Sequence, residues 1–217
     1  MGLKTGLLLR KEAGILGIFA KEPWRKLTFT ELKRLSKKKS KSYLSLVLKR
    51  LVEGQIVRRE SIGRLPVYSL NWGSPKARLF AGFVLETGGW GKRHIPYNDL
   101  ERLFQKLPTE NHAFIVTGSY ARNAQTSKSD IDVVILIDDA GEPKKVYAEL
   151  RYLCEMNIPP IHLYVFRNKE FVEMLLNKQA NYGKEIVKNN LILYGGEVYM
   201  HLVGEAIEHG FYGKGLS

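Results

Sequence analysis

Positive charge is distributed very unevenly along this chain. Residues 1–72 hold 17 Lys and Arg against 5 Asp and Glu, whereas residues 73–217 hold 17 of each sign. The whole net charge of +12 therefore sits in the first third. One uniform domain has no reason to segregate charge this way, so the pattern argues for two modules with different partners. A basic module beside a neutral one implies a polyanion for the first alone. The 217 residues suffice for two small cores, and a 44% hydrophobic content rules against disorder.

The basic third has its own periodicity. Leu7 to Ala20 reads as a helix with Leu8, Ile15, Ile18 and Phe19 on one stripe, ended by Pro23. Thr30 is expected to cap a second helix, Glu31 to Ser36, followed by a Lys-rich turn. Ser40 caps a third helix that runs to Glu53 and stops at Gly54, with Tyr43, Leu44, Val47, Leu48 and Leu51 inward. Gln55–Glu60 and Pro66–Leu70 read as two strands joined by a turn at Ile62-Gly63-Arg64.

This order, with the Leu-Val-Glu-Gly-Gln-Ile-Val junction, resembles the winged helix-turn-helix family over residues 5–72. The resemblance implies a third helix in the major groove of double-stranded DNA and a wing along the backbone. Lys38, Lys39, Lys41, Ser42, Ser45 and Lys49 then face the groove, and Arg58, Arg59 and Arg64 lie on the wing. Lys and Arg there neutralise phosphates and release counterions, which positions the protein more than it reads bases. The opposing reading is a protein-docking module with a solvated Lys run.

Residues 73–110 read as a helical connector: a helix from Pro75 to Glu86, a break at Gly88-Gly89-Trp90-Gly91, and a helix from Tyr97 to Leu107. Residues 111–217 form the second module. His112–Thr117 is a short apolar strand that runs into Gly118-Ser119-Tyr120-Ala121-Arg122. Ten residues separate Ser119 from Asp130-Ile131-Asp132, which leads into Val133–Ile137. Two acids spaced by two on a strand point to one face, where they can hold Mg²⁺. Gly118 leaves room for backbone N–H groups to approach phosphate, and the helix start behind it favours anions. Ser119 adds a hydroxyl, and Ser129 lies beside the acidic pair. Arg122 has two open readings, a triphosphate contact or a surface residue.

Gly-Ser, a short helix, a spacer and Asp-x-Asp on a strand resemble the minimal nucleotidyltransferase branch of the DNA polymerase beta superfamily, over about residues 97–200. That resemblance implies Mg²⁺, a nucleoside triphosphate such as ATP, and transfer of a nucleotidyl group to a protein, RNA or small acceptor. Two departures stand out. Asn123 occupies a position that is often Gly, and Asn tolerates left-handed backbone. The family's third carboxylate belongs on a later strand, here Pro160–Phe166 after the helix Glu142–Asn157, and His162 stands in its place. Imidazole is a base near neutral pH and a ligand, though Mg²⁺ prefers oxygen. A core or rim histidine at a weakened site is the equal alternative.

The expected fold class is therefore α+β: a winged helix of three helices plus a β-hairpin, then a small mixed-sheet nucleotidyltransferase domain. Asp130, Asp132 and His162 are the candidate catalytic residues, and the first two the candidate metal ligands. The competing function is a transcriptional regulator, or an antitoxin-like protein beside a small helical toxin-like partner, whose second domain senses nucleotide or is inactive. A homodimer is expected from two-fold operator symmetry. Cys154 is the sole cysteine, no apolar run reaches the roughly 18 residues of a membrane span, and the start lacks a signal sequence, so a cytoplasmic setting is expected. A last helix from Gly196 to His209 and a loose tail from Gly210 complete the chain.

Overall fold

The computed structural model describes residues 12–37, 40–109 and 111–213. They divide into two units between Val84 and Leu85. The first unit contains α1 (Ala13–Lys21), β1 (Leu27–Thr28), α2 (Phe29–Ser36), α3 (Lys41–Glu53), β2 (Val57–Ile62) and β3 (Leu65–Leu70). The next helix, α4 (Pro75–Gly89), contains the division point. The expected helix residues before Glu12, and Lys38 and Lys39, lie outside the described residues.

Local chemistry accounts for most of these boundaries. Ser40 caps α3, its hydroxyl accepting from the Tyr43 N–H at 3.2 Å. The cap of α2 is Thr28 rather than Thr30. Thr28 Oγ1 accepts from the Glu31 N–H, and Glu31 Oε2 accepts from the Thr28 N–H at 2.8 Å. This reciprocal box satisfies two orphan donors at once, so it outcompetes a cap two residues later. The strands form an antiparallel sheet in the order β1-β3-β2. Leu16, Phe19, Leu32, Leu44, Leu48, Leu51 and Val67 are buried in this unit. Glu12, only 3% exposed, accepts from Arg50 Nη1 at 2.8 Å, so its buried charge is paired.

The second unit continues with α5 (Tyr97–Phe104), β4 (His112–Val116), α6 (Gly118–Ala121), β5 (Ile131–Ile137), α7 (Pro143–Met156), β6 (Ile161–Arg167), α8 (Asn168–Leu176), α9 (Tyr182–Lys188), β7 (Leu191–Tyr194) and α10 (Gly196–Glu208). Its mixed sheet runs β6-β5-β4-β7. β5 and β6 are parallel, joined by α7 as crossover helix; the other pairs are antiparallel. The molecule is thus mixed α+β. One face of β5 carries Ile131, Val133, Ile135 and Ile137 into a core with Leu100, Leu103, Val146 and Leu150.

Three expectations change here. α4 runs through Gly88 and Gly89 instead of breaking before them. A Cβ on Gly89 would overlap the Ile192 carbonyl oxygen, so this glycine serves close approach to β7, not helix termination. Trp90 then donates its indole N–H to the Leu193 carbonyl at 2.7 Å. Phe211, expected in a loose tail, is 4% exposed, and its N–H bonds the Ala206 carbonyl at 2.9 Å; residues 214–217 lie outside the described residues. Finally, α9 has no counterpart in the sequence reading. Its only local signal is Asn181, whose side chain caps it by accepting from the Lys184 N–H at 3.2 Å.

Candidate functional site

Backbone pairing brings the Gly-Ser and Asp-x-Asp segments together. β4 and β5 run antiparallel with Val116 opposite Val133, and the Thr117 N–H donates to the Asp132 carbonyl at 2.9 Å. Gly118, the next residue, has φ +64, a conformation L side chains avoid. A Cβ there would overlap Asp132 Oδ2 and lie 2.9 Å from Cγ. Glycine is therefore required twice, by its backbone angle and by the carboxylate against it. The helix behind it, α6, is only four residues long. The short helix expected here is thus a single turn, whose macrodipole is small.

Asp130 precedes β5 rather than lying on it, because the ladder starts where the Ile131 N–H donates to the Pro160 carbonyl at 2.9 Å. Asp130 and Asp132 flank the fully buried Ile131. Asp132 is less exposed than the motif alone suggests, with 27% of its side chain open to solvent. Burial raises its pKa above the ordinary carboxylate value, His162 lowers it, Asp130 raises it further and Arg122 lowers it.

The parallel pairing of β5 and β6 sets Asp132 directly across from His162. His162 Nδ1 stands 3.9 Å from Asp132 Oδ1, and the imidazole is 64% exposed. His162 is thus a rim residue facing the carboxylate pair, not a core histidine. Among the described residues no group of three His, Cys, Asp or Glu side chains converges as a metal site. Two carboxylates nonetheless match what Mg²⁺ asks of a protein, since it keeps several waters and takes remaining oxygens from phosphate.

The 122–130 loop closes on itself. Ser129 Oγ accepts from the Thr126 N–H at 2.9 Å and lies 3.3 Å from Thr126 Oγ1, so that hydroxyl is engaged within the loop. Asn123 has φ 55, the left-handed conformation anticipated for it. Ser119 is partly exposed at the start of α6. Arg122 is paired with Glu185 of α9, Nη1 to Oε1 at 3.4 Å, while its charge still reaches Asp132.

Several neighbours were not singled out from the sequence. Tyr182, on α9, brings its hydroxyl within 3.2 Å of Thr117 Oγ1. Burial pushes its phenol up to about 12, so it stays protonated. Its ring lies 4.7 Å from that of Tyr164 on β6. Only the tertiary fold unites α9, β6 and the Thr117-Gly118 bend, which are far apart in the chain.

In the first unit, Lys41, Ser42, Ser45 and Lys49 share the exposed surface of α3 with Leu46. Arg58 and Arg59 are exposed on β2, and Arg64 at the hairpin turn. Arg58 also donates to Asn71 Oδ1 at 3.3 Å and stands 3.6 Å from Glu60. Lys49 lies 3.8 Å from Glu53, an exposed pair of small energetic weight.

Among the described residues no helix is long and apolar enough to cross a membrane. No curated protein and no solved structure matches the chain. Residues 98–194 match the family model of the nucleotidyltransferase domain, and that span contains every residue of the site built around Gly118 and Asp132.

Proposed function

We propose that the second unit transfers a nucleotidyl group from a divalent-metal complex of a nucleoside triphosphate, and that the first unit holds the protein on double-stranded DNA. The observation that carries the first part is Gly118 set against the Asp132 carboxylate, with His162 directly across the strand pair. In this reading the backbone around Gly118 and the Ser119 hydroxyl take the phosphates. Asp130 and Asp132 hold the cation, which supplies charge neutralisation on the phosphates. Arg122 contributes positive charge once released from Glu185.

The acceptor hydroxyl gives its proton to Nε2 of His162, the ring nitrogen opposite the one facing Asp132. A bond forms from the acceptor oxygen to the α-phosphorus, the bond from that phosphorus to the bridging oxygen breaks, and pyrophosphate leaves. His162 also motivates a second reading, in which the domain holds nucleotide without transferring it and signals to the DNA-bound unit.

Support for the DNA part is the helix–strand–helix–helix–hairpin order together with Lys41, Ser42, Ser45, Lys49, Arg58, Arg59 and Arg64, all exposed. Calorimetry with MgATP and the other three triphosphates tests the site, with Asp130→Asn/Asp132→Asn as control. Metal-dependent binding that the double variant loses is expected. Absence of binding by the wild type would sink the transferase reading and leave a DNA-binding protein.

A further inference from the structure

Beyond the carboxylates, an aromatic strip borders the site that phosphate chemistry does not use. His162, Tyr164 and Phe166 alternate along β6, so their side chains share one sheet face. The ring centroids of His162 and Tyr164 lie 6.4 Å apart. Tyr182 closes over the strip from α9, 4.7 Å from Tyr164 with planes at 46°, and 6.2 Å from Phe166 at 54°. Tyr164, Phe166 and Tyr182 are all partly exposed. Tyr182 is anchored at its hydroxyl end to Thr117, a 1% exposed residue immediately before Gly118. The ring is therefore positioned relative to the phosphate-binding bend rather than left to the surface.

The spacing suits a nucleotide. Two residue steps along the strand, about 7 Å, separate His162 beside the carboxylates from Tyr164; a ribose likewise separates an α-phosphate from its base. Aromatic rings stack on any base, because every base has a π-face.

We infer that Tyr164 and Tyr182 form the platform on which the base of the bound nucleoside triphosphate stacks, selecting nucleotides over bare polyphosphate without choosing among the four bases. This rests on the nucleotide reading of the site above. Stacking on ring faces does not discriminate among bases, so ATP, GTP, CTP and UTP are expected to bind with similar affinity. The hydroxyl of Tyr182 positions its ring, and the ring itself makes the contact.

The test is calorimetry of magnesium tripolyphosphate against MgATP and MgCTP on the full chain. The wild type is expected to bind either nucleotide on the order of tenfold more tightly than tripolyphosphate. Tyr164→Leu and Tyr182→Leu should each remove most of that preference and leave tripolyphosphate affinity in place. Tyr182→Phe, which keeps the ring and loses the Thr117 anchor, should weaken the preference less than Tyr182→Leu does. Equal wild-type affinity for tripolyphosphate and nucleotide, with both lost in Asp130→Asn, overturns the platform while the phosphate site stands. A preference that survives both leucine variants overturns it as well. Binding of neither ligand by the wild type removes platform and site together. If a leucine variant does not fold, 2-aminopurine riboside triphosphate on the wild type decides: quenched fluorescence supports stacking, and unchanged fluorescence overturns it.

Discussion

Replacing Gly118 with alanine loads two separable costs onto the second unit. The first is backbone. An L residue at φ +64 costs about 1–2 kcal/mol. The second is steric. The new Cβ would overlap Asp132 Oδ2 and sit 2.9 Å from Cγ, and displacing that side chain from its rotamer adds about 0.5–1.5 kcal/mol. The sum is about 1.5–3.5 kcal/mol, a large fraction of a domain's stability. Asp132→Ala removes the overlapping oxygen and leaves only the Cβ at 3.3 Å. In that background Gly118→Ala should cost the backbone part alone, so the double-mutant cycle should show coupling of about 1 kcal/mol. Native-state hydrogen exchange of β4 and β5 amides reads the second unit separately from the first. Equal cost of Gly118→Ala in both backgrounds would refute the argument that the carboxylate demands this glycine. Nucleotide binding should fall further than stability does, because the carboxylate pushed aside is the one proposed to hold the cation.

Four other outcomes are expected. Burial raises the pKa of Asp132 above its ordinary 3.8, so the folded state binds that proton more tightly than the unfolded state. Stability from this group is then present below pH 3.8 and lost as pH rises through the folded value; urea melts in chelator should show Asp132→Asn more stable than wild type at neutral pH, with the gain fading toward acid. Glu185→Gln frees Arg122 and should tighten tripolyphosphate binding by calorimetry, whereas Arg122→Gln should weaken it. Arg59→Ala and Arg64→Ala should each flatten the log–log salt dependence of DNA binding by about 0.9, and unchanged slopes would remove these residues from the DNA surface. Thr28→Ala dismantles the capping box of α2 and should cost the first unit about 1 kcal/mol in urea unfolding.

What could be read without the structure is what local chemistry controls. Ser40 and Gly54 mark the ends of α3 because a cap acts within one turn. The apolar runs at 112–117 and 133–137 announce buried strands. The spacing of Gly118-Ser119 and Asp130-x-Asp132 points to phosphate and cation chemistry because those residue types have few alternative uses in that arrangement. Where local reading failed, a competing contact won: Glu31 drew the cap back to Thr28, and close approach to Ile192 kept Gly89 inside α4.

The sequence by itself determined the composition of the site, its two acids, its glycine and its histidine, and the segregation of basic charge. Only the tertiary structure decided that His162 faces Asp132, that Glu185 holds Arg122, and that Tyr182 lies over Tyr164. Each of these depends on pairing between elements distant in sequence. A parallel register carries no local turn to reveal it, and a one-residue slip of β6 would turn His162 and Tyr164 to the opposite face of the sheet.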